Sequence, residues 1–298
     1  MKNGMVERML EAAENDYEPF DGMTPEQYEA AREVEEQHEY AFKRDGMVAF
    51  FDVLGYSAIA STACEDVIRT VMEAVKTAQV EARQALDDID NQEDGNSFQF
   101  GSDYDEIRCV NISDSLIFHD RFPDPELNAD CEPEYSTIPD AMRFYRFLRF
   151  CRKVYGVLLE HGLPTRGAIS IGTFYWDHES MLAGKPVIEA YKTSESLSFS
   201  GLVLSESSLS QIRRRTQWIF GEHFSQDMHF LKRGLKVYVK GRGGDELKEM
   251  DVVMPDMTFL KSVTVEDYVK MQFGAYGKSV TQPRVCALLK NTVDVLTQ

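Results

Sequence analysis

"VAFFDVLGYS", residues 48–57, places one acid, Asp52, in a run that otherwise reads as a buried β-strand, and then breaks the run with Leu-Gly. The strand signal covers Met47–Val53. A carboxylate at a strand end is often no more than a turn or cap former. Its meaning here depends on what the rest of the chain brings to it.

Working outward, Val67, Val71, Val75 and Ala78 repeat at helical spacing and predict a helix over 57–87. Residues 87–106 hold eight acids and no Lys or Arg, which reads as a solvated loop. "IRCVNISDSLIFH" (107–119) reads as two short strands around a tight turn at Ser113-Asp114. A Pro-, Asp- and Glu-rich loop is expected over 120–138. A helix follows from Pro139 to His161, with Met142, Tyr145, Phe147, Leu148, Cys151 and Tyr155 on its apolar side. "TRGAISIGTFYW" (165–176) predicts a strand, Pro186–Leu197 a helix, and "SGLVLSE" (200–206) a strand. "LKVYVKGRGGDELKEMDVVM" (235–254) has the glycine-rich turn of a hairpin. From Thr264 on the chain reads as helices interrupted at Pro283. The order β-α-β-β-α-β is the ferredoxin-like arrangement, an α+β sandwich with a central antiparallel sheet. It divides the chain into an acidic helical extension (1–46), a central domain (47–255) and a helical C-terminal extension (256–298). Within the first, "MTPEQYEAAREVEEQHEYAF" (23–42) has the Thr24, Pro25, Gln27 pattern of a helix start.

A chain of 298 residues that is 43% hydrophobic can build a proper core. Its formal charge of −18 argues against nucleic acid and anionic lipid as partners. Residues 1–45 alone carry 13 acids against 5 bases. No stretch approaches the roughly 18 apolar residues of a membrane span, and residues 1–16 lack the apolar core of a signal peptide. Five cysteines without a CxxC motif fit inert thiols in a reducing cytoplasm. The six histidines show no HxH or HExxH spacing and are read as structural. A GxSxG motif is absent, and the Gly241–Gly244 turn is not a P-loop.

In the expected topology the first strand lies beside the central hairpin, so Asp52 and Asp114 can converge. Two converging carboxylates repel unless a cation sits between them. Mg²⁺ takes one or two carboxylates plus substrate phosphates, and a pair of such ions can activate a nucleophile and steady a leaving phosphate.

With these residues in view the sequence resembles the class III nucleotidyl cyclases. "FFDVLGY" (50–56) is similar to their first metal strand, and "NISDSLIF" (111–118) to the hairpin that carries the second metal Asp. "RGAISIG" (166–172) resembles their fourth strand, "GKPVIEAYKTSES" (184–196) the helix after it, and "RGLKVYVKGRGGDELK" (233–248) their late hairpin. The resemblance covers about residues 47–254. It implies that Asp52, Asp114 and the carbonyl of Val53 hold two Mg²⁺ or Mn²⁺ ions and that Lys240 neutralises a triphosphate. It implies further that the ribose 3′-hydroxyl attacks the α-phosphorus, releasing pyrophosphate. It also implies a homodimer, with the acids from one subunit and the lysine from the other.

Where the family places Asn and Arg on the helix after the fourth strand, this chain has Ile188 and Lys192; Lys192 and Arg166 are the remaining candidates for charge at the transition state. At the two positions where purine cyclases read their base stand Val110 and Met181, which make no such hydrogen bonds. The sequence resembles most the pyrimidine cyclases of the Pycsar antiphage systems, in "FFDVLGY", "SDS" and Pro164–Ala168. That implies conversion of UTP or CTP to cyclic UMP or cyclic CMP, a messenger that acts on a separate effector. Tyr56, Arg108 and Asn111 are the candidates for contact with base or ribose. The competing expectations are a purine cyclase, a catalytically inactive nucleotide-binding scaffold, and a polymerase-like enzyme of the related palm fold.

Overall fold

The computed structural model describes residues 43–56, 59–60, 65–92, 107–112, 114–122, 138–176, 182–206, 208, 211, 228–256, 263–275 and 281–298. The chain divides into two units, Met1–Lys43 and Arg44–Gln298, and the fold below is that of the second. The expected N-terminal helix, Met181 and most of the two acidic loops lie outside the described residues.

The elements follow in the order β1 (Lys43–Val53), α1 (Glu65–Gln92), β2 (Arg108–Ile112), β3 (Ser115–Arg121), α2 (Ile138–Glu160), β4 (Thr165–Trp176), β5 (Leu182–Gly184), α3 (Lys185–Ser196), β6 (Gly201–Leu204), β7 (Leu231–Lys240), β8 (Asp245–Val253), α4 (Val265–Phe273) and α5 (Pro283–Leu296). They build one eight-stranded sheet in the order β2-β3-β1-β4-β6-β8-β7, with β5 on β4. Its first four strands have the βαββαβ order of the ferredoxin-like unit. The pairings of β1 with β3, β2 with β3, β6 with β8 and β7 with β8 are antiparallel, whereas β4 and β6 run parallel. The expected α+β class, with a mostly antiparallel central sheet, is what the chain forms.

β1 is buried from Gly46 to Phe51 because both of its faces are covered. Met47, Ala49, Phe51 and Val53 point into the main core beneath α1 and α2. Val48 and Phe50 point the other way, onto Ile117, Phe174, Trp176 and Ala190 of α3. Strand side chains alternate, so Asp52 falls on the α3 face. It is the first residue after Gly46 on β1 that is not fully buried. Phe51 packs edge-on against Phe118, and Phe118 against Phe150 of α2, with ring centroids 5.7 and 5.1 Å apart. Burying aromatics of this size contributes about 1.5–3 kcal/mol each.

The structure departs from the expected elements in several places. α1 continues to Gln92, past the expected end at 87, because its first helix breaker is Gly95. β3 continues to Arg121, which takes Asp120 out of the expected loop and into the interior, 4% exposed. α2 is buried on almost all sides, adding Phe144, Phe150, Val154 and Leu158 to its expected face. β5 falls between the expected strand and helix, and its three residues pair with the end of β4. The C-terminal helices, expected as an addition, pack into the body: Tyr268, Val269, Phe273 and Leu289 join the main core, and Val295 joins a second cluster with Val203 and Val237.

Candidate functional site

The Leu-Gly break after Asp52 is a turn that ends β1. Gly55 has φ 78°, a left-handed value that costs an L side chain energy and glycine almost none. The turn is held by two backbone bonds. Val53 N–H donates to the Asp114 carbonyl at 3.0 Å, and Leu54 N–H to the Pro164 carbonyl at 2.9 Å. The β1–β3 register pairs Asp52 with Ser115. Asp114, at the β2–β3 turn, is therefore the next residue beyond Asp52's own partner.

Both acids line one cavity of about 840 Å³. Asp52, Val53, Tyr56 and Asp114 line it, with Arg166 of β4 and Lys240 at the end of β7. Arg166 reaches the site from the next strand, and Gly167 lets that strand in: a Cβ there would lie 2.9 Å from the Phe50 carbonyl oxygen.

The charges are already interlinked. Arg166 Nε and Nη2 both donate to Asp52 Oδ2 at 2.6 Å. Arg166 Nη1 also donates to the Glu195 carbonyl at 3.5 Å, and Lys240 Nζ donates to the same oxygen. Glu195 lies in the last turn of α3, where carbonyls lack helical partners and the helix dipole favours cations. The Lys240 ammonium is held below the usual lysine range, first by partial burial and then by the Arg166 cation, with Arg284 adding to this; Glu195 and Asp52 pull the other way.

Of the residues expected from sequence, Asp52, Val53, Tyr56, Asp114, Arg166 and Lys240 come together in this cavity. Arg108, Asn111 and Lys192 do not line it. Arg108 lies over Trp176 at 5.6 Å, Asn111 accepts a bond from Cys109 Sγ at 3.1 Å, and Lys192 is exposed on α3. Val110 packs on the apolar cluster under α3, and Ile188 is 53% exposed. The resemblance implied that Lys240 meets the acids only across a subunit interface; here it lines their cavity within one chain.

Sequence reasoning missed another part of the lining, built by Ser198, Asp245, Gln282, Arg284 and Leu288. One cue was available. Pro283, read as an interruption, stands at the first position of α5 and so marks where the chain re-enters the site.

Among the described residues no group of three or more His, Cys, Asp or Glu converges as a metal cluster. Two carboxylates with a backbone carbonyl still fit a hard divalent ion that also takes substrate phosphates. In this structure Asp52 Oδ2 already takes a cation, accepting from both Nε and Nη2 of Arg166.

No family model and no curated protein matches the chain. Among solved structures, the guanylyl cyclase domain of the RhoGC fusion protein from Blastocladiella emersonii is 12% identical, covering 70% of this chain and 97% of its own, with a TM-score of 0.38. The guanylyl cyclase Cya2 is 12% identical over 74% of this chain and 98% of its own, with a TM-score of 0.32. A class III adenylyl cyclase-like ATP-binding protein from Pseudomonas aeruginosa is 13% identical over 85% of this chain and 42% of its own, with a TM-score of 0.39. All three scores fall below 0.5, and the fold assignment rests on strand order and register instead. Among the described residues no helix is long and apolar enough to cross a membrane.

Proposed function

We propose that the protein is a metal-dependent nucleotide cyclase that converts a pyrimidine nucleoside triphosphate, UTP or CTP, to its 3′,5′-cyclic monophosphate and pyrophosphate. The observation that carries this is the meeting of two acids, Asp52 and Asp114, with two cations, Arg166 and Lys240, in one cavity. Acids alone suit a metal, and cations alone suit an anion. Side by side they suit a metal–triphosphate complex.

Asp52, Asp114 and the Val53 carbonyl would hold two Mg²⁺ or Mn²⁺ ions. When bound, such ions lower the pKa of the ribose 3′-hydroxyl and spread the charge of the triphosphate. Lys240 and Arg166 neutralise the phosphate oxygens, and Arg166 can do so once its hold on Asp52 is exchanged. The 3′-oxygen forms a bond to the α-phosphorus, the bond to the bridging oxygen breaks, and the hydroxyl proton leaves to solvent or pyrophosphate. Positioning and charge stabilisation supply the rate, with no covalent intermediate. Tyr56, which lines the cavity, is the candidate contact for base or ribose. The resemblance adds a homodimer and a cyclic product that acts on a separate effector in antiphage defence.

The test is an equimolar mixture of ATP, GTP, CTP and UTP with Mn²⁺, its products resolved by mass. A cyclic pyrimidine monophosphate with equimolar pyrophosphate is expected. Cyclic AMP or GMP alone overturns the choice of base, and nucleotide binding with no pyrophosphate release overturns the cyclase in favour of a scaffold.

A further inference from the structure

We propose that the first turn of α5 is part of the nucleotide site, and that Arg284 grips the polyphosphate of the nucleoside triphosphate together with Lys240. The choice of a nucleoside rests on the proposed function; the anion site stands on the geometry below.

α5 is fixed to the sheet by polar bonds along its length. Asn291 Nδ2 donates to the Ser198 carbonyl at 2.8 Å and to Asp245 Oδ2 at 2.9 Å. Ser200 N–H donates to Thr292 Oγ1 at 2.8 Å, and Tyr238 OH to Asp294 Oδ2 at 3.0 Å. Asn291 and Thr292 are buried, and Leu289 and Val295 anchor the apolar side of the helix. Buried, satisfied polar contacts of this kind fix a helix in one register. The turn they hold in place carries Gln282, Arg284 and Val285 into the wall of the cavity that contains Asp52 and Asp114.

The charge balance of that wall points to an anion. Arg166, Lys240 and Arg284 all line the cavity of a protein whose formal charge is −18. Arg166 is matched by Asp52. Asp245, another acid of the lining, already accepts from Ser198 Oγ at 2.6 Å and from Asn291. Lys240 and Arg284 are close enough for each charge to oppose the other. Like charges are brought together at a cost that a bound anion removes. Triphosphate oxygens are acceptors for both side chains, and a guanidinium can hold two of them at once. Gln282 makes no capping bond to its own helix. Its amide both donates and accepts, as the edges of uracil and cytosine require.

The experiment is calorimetric titration of the full chain with three ligands in the presence of Mn²⁺: inorganic triphosphate, a non-hydrolysable UTP analogue, and uridine. Arg284→Gln is expected to weaken triphosphate and UTP analogue about tenfold, to leave uridine within twofold, and to leave the thermal midpoint unchanged because Arg284 is exposed. Arg284→Lys should recover part of the loss. Wild-type affinity for triphosphate in Arg284→Gln overturns the proposal, and so does equal weakening of all three ligands. Binding of inorganic triphosphate without the UTP analogue overturns the nucleoside. If Arg284→Gln weakens triphosphate but wild type makes no cyclic product, the anion site stands and the proposed function falls. If wild type cyclises a nucleotide and Arg284→Gln matches it in every titration, the reverse holds.

Discussion

Two aspartate–arginine pairs sit on neighbouring strands of one sheet, and their surroundings set them apart. Asp120 of β3 meets Arg143 of α2 at 2.5 Å, with side chains 2% and 5% exposed. Asp52 of β1 meets Arg166 of β4 at 2.6 Å, with side chains 18% and 13% exposed. The first pair is sealed beneath a helix. The second opens onto the cavity. A sealed pair cannot trade its partner and so serves the fold. An open pair can exchange its arginine for a metal ion or a phosphate and so can serve chemistry. Geometry within each pair is nearly the same; access to solvent and ligand makes the difference.

Removing Arg143 should have the largest effect. Arg143→Met leaves the buried Asp120 carboxylate without its ion-pair partner and is expected to cost about 3–5 kcal/mol in denaturant unfolding at neutral pH. The pH dependence has a definite sign. Burial pushes the Asp120 carboxyl up to about 6, against the pull of Arg143. A carboxyl raised in the folded state contributes stability that is full below its unfolded value, near 3.8, and is lost as pH rises through about 6. The loss in Arg143→Met should therefore shrink at pH 5. A cost under about 1 kcal/mol at pH 7 would erase the contrast between the two pairs.

Asp52→Asn should behave in the opposite way. Cyclisation is expected to fall about 10³-fold, roughly 4 kcal/mol of barrier, while stability changes by no more than about 1 kcal/mol. Steady-state product formation and denaturant unfolding on the same preparation check both halves. A variant that unfolds instead of losing activity would make Asp52 a second structural acid.

Arg166→Gln should show the smallest effect. With its competitor gone, Asp52 should take up Mn²⁺ a few-fold more tightly in the absence of nucleotide, about 1 kcal/mol or less. Unchanged or weaker Mn²⁺ uptake would mean that the pair does not exchange.

The contrast also explains what was legible in the sequence. Asp52 stood out because it interrupts an apolar strand and is followed by the turn glycine Gly55. Asp114 stood out because it sits between two strand-like runs. Local pattern carries both. Asp120 was read as the start of a loop because nothing nearby announces that Arg143, on the following helix, will cover it. α1 was legible because Val67, Val71, Val75 and Ala78 give it its own helical repeat, whereas the three residues of β5 are too few to show one. The wall around Arg284 could not be read in that way. It depends on α5 returning to the sheet through Asn291 and Thr292, and single polar residues in a helix do not advertise their partners. Arg108 and Asn111 show the converse: they stand on the expected hairpin strand, yet β2 is the edge of the sheet and neither residue lines the cavity.

Titration of Mn²⁺ into the protein with a non-hydrolysable UTP analogue, followed by electron paramagnetic resonance of the free ion, asks directly whether Asp52 and Asp114 share divalent cations. Two ions bound per wild-type chain, with clear loss in both Asp52→Asn and Asp114→Asn, is the expected result. Equal Mn²⁺ uptake by wild type and both variants would contradict it.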